Sequence, residues 1–257
     1  MWPLKKKSGL NEPLPVTSAT IICVPGIWNG IDEIKNAIFS LTGGEYLIVG
    51  DMLISVERER HYKLEIRGRD ERVKHAFKYA GAATTISEEF LNELEKHNYL
   101  VYISGETGSL TEAENIAFAA AAVLKTGGIG IKIETAGKAF EKNRWLQLIK
   151  TFEETDLYQM FVADATTDKK DLVWSCGMHN LGLKDSIVSG EEYQKALDLI
   201  TIFGYYQIFD KPTIVPNQIF QPGPQSPQYK ITNERNQPYR NIELFENPYG
   251  MWRLTKI

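Results

Sequence analysis

From Ile116 to Leu124 the chain reads Ile-Ala-Phe-Ala-Ala-Ala-Ala-Val-Leu, nine residues with no charge and no hydrogen-bonding side chain, five of them alanine. Such a segment has no face to offer water, and its small side chains let neighbours lie close to its backbone. It therefore predicts a helix buried at the centre of its layer. Ser109-x-x-Glu112 and Thr111-x-x-Glu114 both fit a capping box at its start, and Thr126-Gly127-Gly128 ends it. The apolar run is about half the length a bilayer crossing needs.

Around this helix the pattern alternates. Thr20-Ile21-Ile22-Cys23-Val24 is a β-branched run stopped by Pro25-Gly26, and reads as a buried strand and turn. Ile31, Ile34, Ile38 and Leu41 recur at helical spacing before Gly43-Gly44. Tyr46 to Val56 and Tyr62 to Ile66 flank the charged residues 57–61 and predict a hairpin. Helices are expected over Asp70 to Tyr79 and from Ser87, a strand over Tyr99 to Ile103, a strand over Ile129 to Glu134 and a helix over Ala139 to Phe152. Later strands are expected over Leu157 to Ala163, Asp171 to Met178 and Ser186 to Val188. A helix then runs from Glu191 to about Phe209, with Tyr193, Leu197, Ile200 and Gly204 on one face. Seven of the eleven prolines fall between Pro212 and Pro248, so the C-terminal part reads as turns and short strands: Tyr229 to Ile231, Ile242 to Phe245 and Met251 to Leu254.

Helices and strands thus alternate without a strict βαβ period. This predicts an α+β fold, a mixed or antiparallel sheet packed against helices, with room for two α+β subdomains. The expected organisation is an extended lead-in over residues 1–18, an α+β N-terminal half over 19–155 and a β-richer C-terminal half over 156–257, the two halves packed as one unit. With 257 residues, 43% hydrophobic and 24% charged, the chain has enough apolar material for a core without disulfide or metal support. Its net charge of −4 argues against a nucleic-acid binder, and the one dense basic run, Lys5 to Lys7, sits in the lead-in. No apolar stretch follows those lysines, so no signal peptide is expected, and Cys23 and Cys176 read as reduced and buried in a cytoplasmic protein.

Signals for chemistry are sparse. The loop Ser104-Gly105-Glu106-Thr107-Gly108-Ser109 joins a strand to a helix N-terminus, a layout that can cradle an anion or can be a plain capped turn. His61, His75, His97 and His179 show no metal-ligand spacing, so neither metal nor cofactor is expected. Cys176-x-x-His179 offers a nucleophile and base with Asp164, Asp168 or Asp171 to orient them. Strand alternation opposes that pair, because only a kink at Gly177 brings Cys176 and His179 together. In the glycine-rich strand near Gly130, alternation sets Lys132 and Glu134 on the face opposite Ile131 and Ile133. Those two charges form either a salt-bridged solvent face or a ligand groove opened by the glycine and completed by Arg144 or Trp145.

The run Gly128-Ile129-Gly130-Ile131-Lys132-Ile133-Glu134-Thr135-Ala136-Gly137 with Trp145, then Gly177-Met178-x-x-Leu181-Gly182 and Gly250-Met251-Trp252-x-Leu254, resembles the bacterial domain-of-unknown-function family 4261. Pro25-Gly26-x-Trp28 adds to the resemblance, which covers most of residues 20–254. It carries no activity residue by residue. It implies a fold, a bacterial cytoplasmic setting and, through members among defence or toxin-immunity genes, a role in binding proteins.

Two functions follow as expectations. The first is a non-enzymatic module with a protein partner, an immunity-type inhibitor in one form, binding neither nucleic acid nor membrane. Its support is the set of aromatics Trp174, Tyr193, Tyr205, Tyr206, Tyr239, Tyr249 and Trp252, since aromatics anchor interfaces as well as filling cores. The alternative is a small-molecule-binding or hydrolytic protein using Lys132, Glu134, Arg144 and Trp145, with His179 and Cys176 as weak catalytic candidates. A homo-oligomer pairing through a C-terminal edge strand is a third reading.

Overall fold

A computed structural model describes residues 16–82, 84–166, 172–239 and 242–257. Most of the expected lead-in, with Lys5 to Lys7, lies outside them, as do Asp168 and Asp171. The fold is α+β, with two sheets.

The first sheet has seven antiparallel strands in the order β2-β3-β4-β5-β1-β6-β7. They are β1 (Ser18–Gly26), β2 (Tyr46–Val49), β3 (Met52–Ser55), β4 (Arg60–Gly68), β5 (Tyr99–Thr107), β6 (Gly130–Ile133) and β7 (Lys138–Glu141). One face packs on α1 (Ile31–Leu41), α4 (Leu110–Lys125), α5 (Lys142–Lys150) and α6 (Asp156–Phe161). The other packs on α2 (Val73–Ala80) and α3 (Glu88–Leu94), where Phe77, Phe90, Leu91 and Leu94 meet Cys23, Leu100 and Ala139. As its composition requires, α4 is buried along nearly its whole length and touches β1, β5, β6, α1, α5 and α6. Ser109 caps it, its Oγ accepting from the Glu112 N–H at 3.1 Å.

The second sheet has six strands in the order β11-β12-β13-β10-β9-β8. They are β8 (Ala163–Thr166), β9 (Leu172–Cys176), β10 (Asp185–Ser189), β11 (Ile219–Phe220), β12 (Tyr229–Glu234) and β13 (Met251–Lys256). The sheet is mixed, because β10 and β13 run parallel and the other pairs antiparallel. The long helix α7 (Tyr193–Phe209) covers one face through Val173, Val188, Ile231 and Leu254. Trp174, Cys176, Ile187, Tyr239 and Met251 form a smaller core on the other face.

Local corrections have physical causes. The expected strand Tyr46 to Val56 is two strands, split by a tight turn at Gly50-Asp51. Ala139 to Glu141 pair with β6 instead of starting a helix, because Glu134–Gly137 turns the chain into a hairpin and the helix begins at Lys142. Leu157 to Phe161 are helical, not extended: four of the five side chains are buried and supplement the core of the first sheet, and the strand starts only at Ala163. The segment Ile242 to Phe245 is a 3-10 turn, not a strand. The glycine loop Ser104–Thr107 is no loop either. It continues β5 against β1, with Gly105 opposite Thr20 and Thr107 opposite Ser18, so the ladder rather than an anion takes its backbone groups.

Candidate functional site

The two halves meet across a polar seam. Gly177 adopts φ +118° and turns the chain from β9 into a 3-10 helix, Met178–Leu181. A Cβ there would stand 2.0 Å from the Phe161 carbonyl oxygen, so only glycine fits the turn. The turn carries Asn180, whose Oδ1 accepts from Thr20 Oγ1 at 2.7 Å and Thr135 Oγ1 at 2.8 Å. Beside it Ser18 Oγ donates to the His179 carbonyl at 2.7 Å. These bonds tie the second half of the chain to β1 and to the turn after β6.

Behind the same turn lies Asp185, fully buried. Its Oδ1 accepts from Ser175 Oγ at 3.0 Å and the Met178 N–H at 3.2 Å, and its Oδ2 from Asn247 Nδ2 at 2.7 Å. Burial outweighs these donors and pushes its carboxyl up to about 6. Its partners come from β9, from the 3-10 helix and from near the C-terminus, so no local spacing in the sequence announces it. The arrangement suits a structural hub: every donor is spent and nothing about it is open to solvent.

His179 and Cys176 sit beside this hub and do not form a dyad. The kink at Gly177 exists, yet among the described residues no hydrogen bond joins the two side chains, and His179 Nδ1 has no partner at all. Burial pushes His179 down to about 4 and the Cys176 thiol far up, opposite to what a base and a thiolate nucleophile need. Asp164 is engaged elsewhere, accepting from Tyr158 Oη at 3.1 Å.

Lys132, Glu134, Arg144 and Trp145 are not brought together. Lys132 lies opposite Cys23 and Ala139 on the α2–α3 face and pairs with Glu134. Gly130 opens no groove there, because the Phe90 ring already lies 2.6 Å from where its Cβ would stand. Trp145 is on the other face of the sheet, fully buried against Phe140 and Phe161, with Nε1 donating to the Ala117 carbonyl at 3.3 Å. Arg144 reaches outward to Gln159. Glu134 and His179 are likewise separated by the sheet, since the 3-10 helix packs on the α4 side. Among the described residues no three His, Cys, Asp or Glu side chains converge as a metal site, and no helix is long and apolar enough to cross a membrane.

A concave surface lies at the C-terminal end of α7. Glu192 caps the start of this helix, accepting from the N–H groups of Gln194 and Lys195. One apolar stripe, with Leu199, Ile200, Phe203 and Gly204, is buried on the sheet and α6. A second, Ile202, Tyr205, Tyr206 and Phe209, has i, i+3, i+4, i+7 spacing; its ends Ile202 and Phe209 are exposed and its two tyrosines half-buried. Together with β11 it bounds an open groove of about 510 Å³ lined by those residues and by Asp210, Ile219, Phe220, Gln221 and Pro222. Phe220 forms its inner wall, edge-on to Phe203 and tilted against Tyr206 with ring centroids 4.9 and 5.2 Å apart. Phe209 is 71% exposed, Ile202 and Ile219 each 44%. Of the aromatics expected to anchor an interface, Trp174, Tyr239 and Trp252 are core residues, and Tyr205 and Tyr206 line the groove. Helical periodicity alone marks this second stripe as well as the first.

No protein-family model, curated protein or solved structure matches the chain.

Proposed function

We propose that this chain is a non-enzymatic protein-binding module of the bacterial cytoplasm and that it holds an apolar segment of a partner protein in the groove between α7 and β11. One observation carries the reading: Ile202, Phe209 and Ile219 stand exposed around an open groove of mixed polar and apolar lining. Exposed apolar side chains gathered around a concave surface suit an interaction site, and covering such a partly exposed side chain returns about 1 kcal/mol. The two tyrosines supply rigid, amphipathic contact area, and Asp210 and Gln221 supply the polar rim that gives an interface its register. An immunity-type inhibitor, the role implied by the family resemblance, is one form of such a module.

The test is affinity purification from the source bacterium with the native chain and with an Ile202→Asp/Phe209→Asp double variant. Both positions are exposed, so the variant should melt at the native temperature. A protein retained by the native chain and lost by the variant supports the reading. Identical retained proteins with both would refute it.

A further inference from the structure

Resting on that reading, we infer that the occupant of the groove is an extended segment that adds as a seventh strand beside β11, with bulky apolar side chains at alternate positions and a Lys or Arg at the end nearest Asp210. The backbone at the groove argues for a strand. Val215-Pro216-Asn217-Gln218 is a β-turn closed by the Gln218 N–H to the Val215 carbonyl at 3.2 Å, with Pro216 second and Asn217 third at φ +73°. The Asn217 N–H then donates to the Ile231 carbonyl at 2.7 Å, and the Ile231 N–H to the Gln218 carbonyl at 2.9 Å, a bulge in which two residues oppose one. The narrow pair therefore falls at Gln218 and Ile231. Antiparallel alternation makes Ile219 and Lys230 the next, non-bonded pair. The N–H and C=O of Ile219 consequently point away from β12, along the rim of the groove.

An edge strand whose donor and acceptor have no partner among the described residues, beside a helix whose apolar stripe continues past it, is the arrangement that strand addition uses. The main chain of the guest bonds to Ile219, and its alternate side chains lie against Ile202, Tyr206 and Phe209. β11 ends at Phe220, so the pairing is short and most of the affinity comes from the apolar contacts.

Charge at the groove selects the guest further. The unpaired carbonyls at the C-terminus of α7 put negative potential at Phe209, and Asp210 adds a carboxylate there. Among the described residues no cation pairs with Asp210, and the neighbouring Lys211 is drawn to Glu154 at 3.0 Å. A Lys or Arg on the guest meets that charge; an acidic guest is repelled.

Selection of a random peptide display library on the native chain, counter-selected on Phe209→Asp, tests this. The expected winners carry an apolar residue at every second position and a Lys or Arg at one end. A synthetic winner should lose about fivefold to tenfold in affinity when the residue bonding Ile219 is N-methylated, the equivalent of one hydrogen bond. It should weaken several-fold on Asp210→Asn, an effect that shrinks as salt is raised. Groove-dependent winners with helical spacing, or with acidic ends, or indifferent to N-methylation, would overturn strand addition and leave the protein-binding reading standing. If no peptide distinguishes the native chain from Phe209→Asp, both fall.

Discussion

Replacing His179 with leucine should change how the fold responds to acid. His179 is buried with Nδ1 unpartnered, and desolvation holds it neutral down to about 4, against an ordinary value of 6.5. The unfolded chain takes up this proton near 6.5 and the folded chain does not, so stability is lost as pH falls from about 6.5 towards 4. Asp185 works in the opposite sense. Its carboxyl is pushed up to about 6 from 3.8, so the folded chain binds a proton that the unfolded one has released, and stability is gained as pH falls through 6. Between about pH 7 and pH 4.5 each group is worth roughly 2 kcal/mol, and the two nearly cancel in the native chain. The leucine variant removes the loss and keeps the gain. Urea unfolding followed by tryptophan fluorescence at both pH values should show the variant gaining ~2 kcal/mol relative to the native chain on acidification, whatever its offset at pH 7. A difference between the two chains that does not change with pH would refute the claim that His179 is held neutral in the interior.

The mirror experiment, Asp185→Asn, should make the chain more acid-sensitive than the native one by a similar ~2 kcal/mol over the same interval. It should also cost about 1–3 kcal/mol at pH 7, because the amide presents a donor where Ser175, Met178 and Asn247 all donate. Gly177→Ala should unfold the chain or lower its melting temperature severely, since a methyl group at φ +118° would meet the Phe161 carbonyl; a loss below about 1 kcal/mol would contradict the turn geometry. Ser109→Ala should cost about 1 kcal/mol in chemical unfolding by freeing the Glu112 N–H, with glycine at the same position milder.

Much of the fold is legible in the sequence wherever a segment is decided by its own composition. The alanine run could only be a buried helix, Ser109 could be read as its cap, and the apolar runs at Ile21–Val24 and Met251–Leu254 are strands. The failures share a cause. Ala139-Phe140-Glu141 and Leu157 to Phe161 are short, and their conformations are set by what they pair with or pack on, β6 across a tight hairpin in one case and the first core in the other. The same holds for chemistry. Asp185 is defined by residues from Ser175 to Asn247, so it carries no local signature, while Cys176-x-x-His179 has a signature and sits where burial silences both groups. The groove stripe on α7 was within reach of helical periodicity, because Ile202, Tyr206 and Phe209 are spaced for one face. Because α7 is apolar on two faces, sequence alone does not say which one a sheet will cover.

The most direct test of the account is site-specific photo-crosslinking in the source organism. A photoreactive amino acid placed at Phe209 in the groove is compared with one at Tyr79, which is 83% exposed on α2. The account predicts a discrete crosslinked protein from position 209 and none from position 79. No crosslink at 209, or the same products from both positions, would contradict the claim that the groove holds a partner.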